Sequence, residues 1–450
     1  MPRFLIASLF VSALAAVSAE AQALAVVPVT AFVNVSVIPM DRDRVLTRQT
    51  VVVRGDHIVA LGPVGQVAVP SDAERVDGAG KFLMPGLADM HVHFGNFDPA
   101  PMDGPPRFTL NPTVDVADML FTFVANGVTT VRDMHSGPDA QGNAWLLAVR
   151  RRVGAGKLLG PRIYTAGDPD ESSPAAAAKS VEALKAAGYD FVKLYGRPRP
   201  LYDSVVAAAR RVGLPVAGHV PGEDIGIAGV LRDRWASIEH LTGYFEYATG
   251  VSPESTARKR VDDATLRRIA RETERAGVWN CPAPSIQMTW MGMDSVHFDF
   301  YPRLIKALHD AGAGLLLGTD AYFFDGTLAH SGFTIHAALE ALVDAGLTPY
   351  QALETGTRNV ARFLRTEDST GTVAVGKRAD LVLLNANPLV DVHHTTALAG
   401  VMLGGRWLPR VDLNRWIDTM RSVATPNSGA RGTTAQQLRL LSEIVWRWSR

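Results

Sequence analysis

Residues 84–95 read MPGLADMHVHFG, an apolar run ending in two histidines, His91 and His93, one residue apart. On an extended strand such a pair shares one face, so both imidazoles point the same way. From Met84 onward, short apolar strands alternate with longer helical patterns. The further strands read VTTVRDM (128–134), RIYTAG (162–167), DFVKLYG (190–196), PVAGHV (215–220), SIEHL (237–241), VWNCPAP (278–284) and GLLLGTD (314–320), making eight in all. Helical spacing fills the gaps at 113–126, 138–155, 175–188, 200–212, 222–234, 262–276 and 299–312, and again at 334–345. Alternating units predict parallel strands, and eight of them predict an α/β fold of the closed (β/α)8 TIM-barrel type over residues 84–360. The alternative, a doubly wound open sheet, usually carries a glycine-rich phosphate-binding turn. Neither G-x-G-x-x-G nor G-x-x-x-x-G-K-[ST] occurs.

Outside this region the pattern is β. Residues 24–83 hold β-branched runs broken by Gly, Asp and Pro, and residues 361–412 return to the same character. The two segments are expected to form one small composite β-sandwich domain. Residues 413–450 form a tail containing a Gly/Ser/Thr/Asn-rich loop and a last amphipathic helix. Its apolar stripe is expected to dock on the body or on another subunit of a homo-oligomer. At the other end, Phe4–Val17 is nearly all apolar after a single Arg3, and Ala19-Glu20-Ala21 and Ala21-Gln22-Ala23 fit the small-x-small cleavage pattern. Residues 1–23 therefore read as a signal peptide cut near Ala21 or Ala23, which predicts a periplasmic or secreted protein with no membrane attachment after cleavage.

The 45 Lys+Arg balance the 45 Asp+Glu, and no basic run stands out. Nucleic acid binding through phosphate neutralisation is not expected. Cys281 is the only cysteine, which rules out an internal disulfide and a thiolate-built zinc site. No G-x-S-x-G elbow occurs, which disfavours a serine hydrolase.

In a barrel the reactive groups come from the C-terminal ends of several strands. There the sequence places His91, His93, Lys193, His219, His240 and Asp320. A single histidine at a strand end is more often structural than a ligand. Four of the twelve histidines, with an aspartate, at the same end of one barrel form a nitrogen/oxygen set suited to zinc or a similar divalent ion.

MPGLADMHVH, the lysine of DFVKLYG, AGHV, IEHL and GTDA, together with the closing GTVAVGKRADLVLLNANP (371–388), resemble the amidohydrolase superfamily over about residues 50–410. VTTVRDM, DFVKLY and HSGFTIHAALEALVDAGLTPYQALETGTRNVARFL (330–364) are most similar to its imidazolonepropionase-related branch, which includes metal-dependent prolidases. The resemblance implies two divalent metal ions, zinc above all. His91, His93 and Asp320 would hold the buried one, His219 and His240 the outer one, and Lys193, carboxylated on its side-chain nitrogen, would bridge them. It implies hydrolysis of an amide (C–N) bond in a small molecule or short peptide, such as an Xaa-Pro dipeptide or an N-acyl amino acid. A metal-bridging hydroxide would attack, with Asp320 carrying its proton to the leaving amine. Tyr195, which shares a strand face with Lys193, Tyr244 in the loop after His240, and His135 past the second strand are the candidate substrate contacts. Tyr247, His330 and His336 are weaker ones. Lactone, phosphotriester or cyclic-amide hydrolysis on the same centre is the second enzymatic reading, and a non-catalytic metal-binding barrel the third.

Overall fold

The computed structural model describes residues 27–98, 107–109, 116–134, 144–170, 172–222, 224–250, 260–283, 295–323 and 332–423. The expected signal peptide, the terminal amphipathic helix, His135 and His330 lie outside the described residues.

Five strands open the chain: β1 (Val29–Val37), β2 (Leu46–Arg54), β3 (His57–Pro63), β4 (Glu74–Asp77) and β5 (Phe82–Pro85). The next begins with the double-histidine stretch, β6 (Leu87–Asp98), and turns back into the short antiparallel β7 (Arg107–Thr109). Then strands and helices alternate: α1 (Val116–Ala125), β8 (Val128–Asp133), α2 (Ala144–Gly154), β9 (Arg162–Gly167), α3 (Pro174–Ala187), β10 (Phe191–Leu194), α4 (Arg199–Val212), β11 (Val216–Gly218), α5 (Gly226–Asp233), β12 (Ser237–Glu239), α6 (Tyr244–Thr249), α7 (Asp263–Ala276), β13 (Trp279–Cys281), α8 (Ser295–Asp310) and β14 (Ala321–Phe323). Local chemistry sets the helix ends. Ser173 and Asp262 cap α3 and α7 by accepting from Ala176 N and Thr265 N, and Gly188 and Gly277 close them in the left-handed conformation.

These strands pair in the order β13-β12-β11-β10-β9-β8-β6-β14, all parallel, in a curled sheet with helices between its strands. The stretch 314–320, expected as the eighth strand, does not form a regular ladder. It leaves a seam crossed by single hydrogen bonds: Leu316 N donates to Asn280 O (2.8 Å), Met90 N to Leu317 O (2.8 Å) and Asp320 N to His91 O (2.7 Å). The chain passes close to β13 here: a Cβ on Gly318 would stand 2.3 Å from Cys281 Sγ, so the position needs glycine.

After α9 (Thr334–Asp344), α10 (Pro349–Thr355) and α11 (Arg358–Leu364), the chain returns through β15 (Leu381–Leu384), β16 (Leu398–Leu403) and β17 (Arg406–Pro409) to the opening strands, before α12 (Arg410–Val423). β15 pairs antiparallel with β5, so both ends of the chain build one sheet of order β17-β16-β15-β5-β1-β2-β3, with β4 on β1. The strands of the two end segments are thus hydrogen-bonded in one continuous ladder. Its buried Phe32, Val35, Val37, Val51, Ile58, Leu83, Leu381 and Leu383 form a core of their own. Among the described residues no helix is long and apolar enough to cross a membrane.

His336, read from sequence as a possible pocket residue, is instead buried in α9 with Nδ1 2.9 Å from Thr395 Oγ1 of the 3-10 turn Val392–Thr396. Burial, with the Arg410 charge, brings its imidazole down to about 3. Between that value and the ~6.5 of an unfolded histidine, the unfolded chain binds the extra proton. This group therefore weakens the fold as pH falls below about 6.5, by up to about 1.4 kcal/mol per pH unit. His336→Gln is expected to flatten the acid side of the urea-midpoint profile between pH 6.5 and 4. An unchanged slope would assign the acid loss elsewhere.

Candidate metal centre

His219 and His240 lie just past the C-terminal ends of β11 and β12, Lys193 near the end of β10, His91 and His93 within β6 and Asp320 just before β14, and the curl of the sheet brings them toward one another. His93 Nε2 lies 3.0 Å and His91 Nε2 3.3 Å from Asp320 Oδ1, and His240 Nε2 lies 3.8 Å from Asp320 Oδ2. The rings form a chain, with centroids 5.2 Å apart for His91–His93, 4.5 Å for His91–His240 and 4.9 Å for His219–His240. Lys193 extends the cluster: its Nζ stands 5.0 Å from the Tyr195 ring centroid, and that ring is 5.0 Å from His219's. Among the described residues, His91, His93 and Asp320 each offer a ligand atom within 4.8 Å of the others.

Backbone conformation aims two of these side chains. His240 (φ 57°) and Asp320 (φ 56°) both adopt the left-handed region, uncommon outside glycine and concentrated at functional sites. Each is pinned there by its N–H, His240 on Cys281 O (2.8 Å) and Asp320 on His91 O. Gly218 prepares the approach of His219. A Cβ there would stand 1.9 Å from Leu194 O, so only glycine lets β11 leave the sheet this close to β10.

Burial dominates the electrostatics. It brings the His91 and His219 imidazoles well below their usual range, with Lys193 adding to the effect, so both are neutral and offer lone pairs. It also brings the Lys193 ammonium down to about 8, against the pull of Glu239 and Asp320. Burial pushes the Asp320 carboxyl up, but His240, His93 and Lys193 outweigh it and hold the group below the ordinary carboxylate range. Lys193 Nζ and His91 Nε2 are buried yet make no hydrogen bond. Two buried nitrogens without hydrogen bonds, beside neutral imidazoles and a carboxylate, fit a divalent cation that would satisfy them.

Behind the ligands stands a network absent from the sequence reading. His91 Nδ1 lies 2.7 Å from Glu239 Oε2, leaving Nε2 to face the cluster. Glu239 Oε1 accepts from Arg132 Nη2 (2.8 Å) and from Ser237 Oγ (2.5 Å), while Arg132 Nε donates to Met90 O (2.7 Å). All of these side chains are buried, and the guanidinium lies 5.3 Å and 5.2 Å from the Phe191 and Phe363 rings. Asp89 plays a similar part on β6, accepting from Thr319 N (3.0 Å) and Thr319 Oγ1 (2.6 Å). His91, Glu239 and Cys281 also offer ligand atoms close together. Glu239 is already engaged by Arg132, however, and burial pushes the Cys281 thiol up, away from the metal-binding thiolate.

The substrate candidates separate. Tyr195 is half-buried beside Lys193 and His219. Tyr244 requires a correction. It is fully buried, and its hydroxyl bonds Asn280 Oδ1 (2.9 Å) and lies 3.0 Å from Thr273 Oγ1, so its polar end ties α6 to β13 and α7. Tyr247 likewise spends its hydroxyl on Glu272 (2.9 Å).

The model of the amidohydrolase family matches residues 82–408 of this chain. The chain is similar to an adenine deaminase of Chelativorans sp., with 26% identity over 363 residues, which cover 76% of this chain and 52% of that protein. It is also similar to the ochratoxinase of Aspergillus niger, with 23% identity over 407 residues, 76% of this chain and 78% of that one. The solved structure of a Xaa-Pro dipeptidase with methionine bound in its active site superposes with a TM-score of 0.64 at 22% identity, covering 85% of this chain and all of the other. The chain spans about half the length of the first curated relatives it matches, the adenine deaminases. The family match runs from the strand before the paired histidines to the last strand of the composite sheet and takes in every candidate ligand: this chain belongs to the amidohydrolase family.

Proposed function

We propose that the protein is a metal-dependent hydrolase of amide bonds, acting on an Xaa-Pro dipeptide or an N-acyl amino acid. The observation that carries the reading is the convergence of His91, His93, His219, His240, Lys193 and Asp320, with Lys193 Nζ and His91 Nε2 buried and without hydrogen bonds. In this reading the seam at 314–320 completes a closed (β/α)8 barrel. His91, His93 and Asp320 would hold one divalent ion, with zinc the expected metal, and His219 and His240 a second. Lys193, whose neutral amine is accessible near pH 8, would add to CO2, lose a proton and offer a carbamate oxygen to both. Such ions supply Lewis acidity and lower the pKa of water toward neutrality.

The chain's own groups do the rest. Asp320 Oδ1 and Oδ2 lie among three imidazoles, which hold the group ionised, so that it can accept a proton from the attacking water. It then returns that proton to the amine nitrogen, which leaves poorly as an anion. Tyr195 and His135 would contact the substrate. The Xaa-Pro dipeptidase among the structural neighbours supports the substrate class. The signal-like residues 1–23 support action in the periplasm or outside the cell.

The test is a zinc-loaded preparation assayed for metal content and turnover. We expect about two ions per chain, loss of activity with a chelator and recovery with zinc. We also expect Xaa-Pro dipeptides or N-acyl amino acids to be preferred over lactones and paraoxon. Less than one ion per chain would overturn the binuclear centre, and a preference for the lactone or phosphotriester would overturn the bond assignment.

A further inference from the structure

A cavity of about 800 Å³ opens at the opposite end of the curled sheet from the metal centre. It lies where β9, β10, β11 and β13 begin, and the end of α11 flanks it. Its size falls within the roughly 300–1,000 Å³ of small-molecule sites.

Two features of its lining point to one ligand chemistry. Its aromatic side comes from Tyr164, Trp279 and Phe363, each only partly buried. Phe363 is stacked on Phe191 (5.5 Å between centroids, 4° between planes) and meets Trp279 edge-on at 5.7 Å. Those rings are held in place and still present surface to the cavity, the arrangement that accepts a planar ring. The second feature is charge. Four arginines line the cavity: Arg210, Arg234, Arg362 and Arg365. Its two carboxylates are already engaged, Asp190 by Arg150 (2.7 Å) and Asp233 by the Tyr202 hydroxyl (2.7 Å) and Arg232 (2.9 Å). Arg210 stands 3.8 Å from Asp233, while Arg234, Arg362 and Arg365 have no ion pair among the described residues. Three unpaired guanidinium groups around an aromatic wall suit an anion, because the planar fork matches carboxylate and phosphate oxygens and also packs on rings.

We infer that this cavity is a second ligand site, separate from the metal centre, for a planar aromatic ring carrying a carboxylate or phosphate. The ring lies against Phe363 and Trp279, and the acidic group meets Arg362, Arg365 and Arg234. The rest of the chain's own tail is a poor occupant. Residues 434–450 carry Arg439, Arg447 and Arg450 against a single Glu443, the wrong sign for this rim.

Calorimetric titration of the zinc-loaded full chain tests this with two anions, 2-naphthoate for the carboxylate and ADP for the phosphate. Their neutral counterparts are 2-naphthalenemethanol and adenosine. At least one anion is expected to bind ten times or more tightly than its counterpart, and which one does so identifies the acidic group. The exposed pair Arg362→Glu/Arg365→Glu is expected to weaken that binding at least tenfold, with zinc content and urea midpoint unchanged. Arg234→Glu, on a different element, is expected to weaken it as well. Equal binding of anion and neutral counterpart would overturn the site, and so would no binding by either anion. Affinity untouched by both charge reversals, or loss of the ligand when the metal-centre substrate is added, would overturn it too.

Discussion

Asp320→Asn is expected to lower kcat/KM by about 10³–10⁴-fold while the fold survives. Asparagine keeps the size of the side chain and tolerates the left-handed backbone (φ 56°) that Asp320 adopts. The N–H bond to His91 O is unaffected, so the seam at 314–320 keeps its anchor. What disappears is the negative charge facing His91, His93 and His240, and with it the carboxylate proposed to carry a proton from water to the leaving amine. The check combines kcat/KM on the best amide substrate, metal content and far-UV circular dichroism. A variant with native dichroism and a rate within tenfold of the parent would remove Asp320 from proton transfer. A variant that loses its metal as well as its rate would show that the carboxylate serves first as a ligand.

Glu239→Ala is the second large effect, and it acts on stability and metal binding together. The substitution leaves the Arg132 guanidinium fully buried without the carboxylate it faces at 2.8 Å. Breaking such a buried pair on one side costs about 3–5 kcal/mol. It also removes the acceptor that holds His91 Nδ1, and outer partners of this kind are worth about 10–100-fold in metal affinity. Urea denaturation and zinc titration measure the two losses. Adding Arg132→Met to Glu239→Ala is expected to recover much of the stability, because no charge is then stranded, while zinc affinity stays low because His91 remains unheld. Recovery of both together would mean that Glu239 acts on the metal centre only through the fold.

The fold was largely legible because hydrophobic period and punctuation agree along most of the chain. The helix expected at 175–188 is observed at Pro174–Ala187, and that expected at 262–276 at Asp263–Ala276, each ending at a glycine the sequence displays. The seam escaped because GLLLGTD has a strand's composition, and composition does not show that its backbone joins its neighbours only through isolated hydrogen bonds. Which strands of the two end segments pair escaped for a related reason: periodicity shows that a strand exists but not which strand it joins. At the site, the strand-end histidines stood out by position. Glu239 did not, because strand alternation places it on the face opposite His240. The left-handed turn at His240 breaks that alternation, so neighbouring residues both reach His91. A charge inside an apolar run was the available signal for Arg132 and Glu239, in VTTVRDM and SIEHL. Tyr244 misled because a phenol near a ligand looks functional until its partners, Asn280 and Thr273, are known.

The pairing of β5 with β15 has a consequence for the birth of the chain. Phe82–Pro85 finds β1 on one side at once, but its other side waits for Leu381–Leu384. At roughly 5–20 residues per second, ribosomal synthesis of the intervening stretch takes on the order of tens of seconds. Throughout that interval the nascent protein displays an open, apolar strand edge, the kind of template on which neighbouring chains add. A fragment truncated before Leu381 keeps that edge permanently. Truncated products are therefore expected to aggregate more readily than the finished protein, as light scattering would measure, because the last strands to be translated cover that edge.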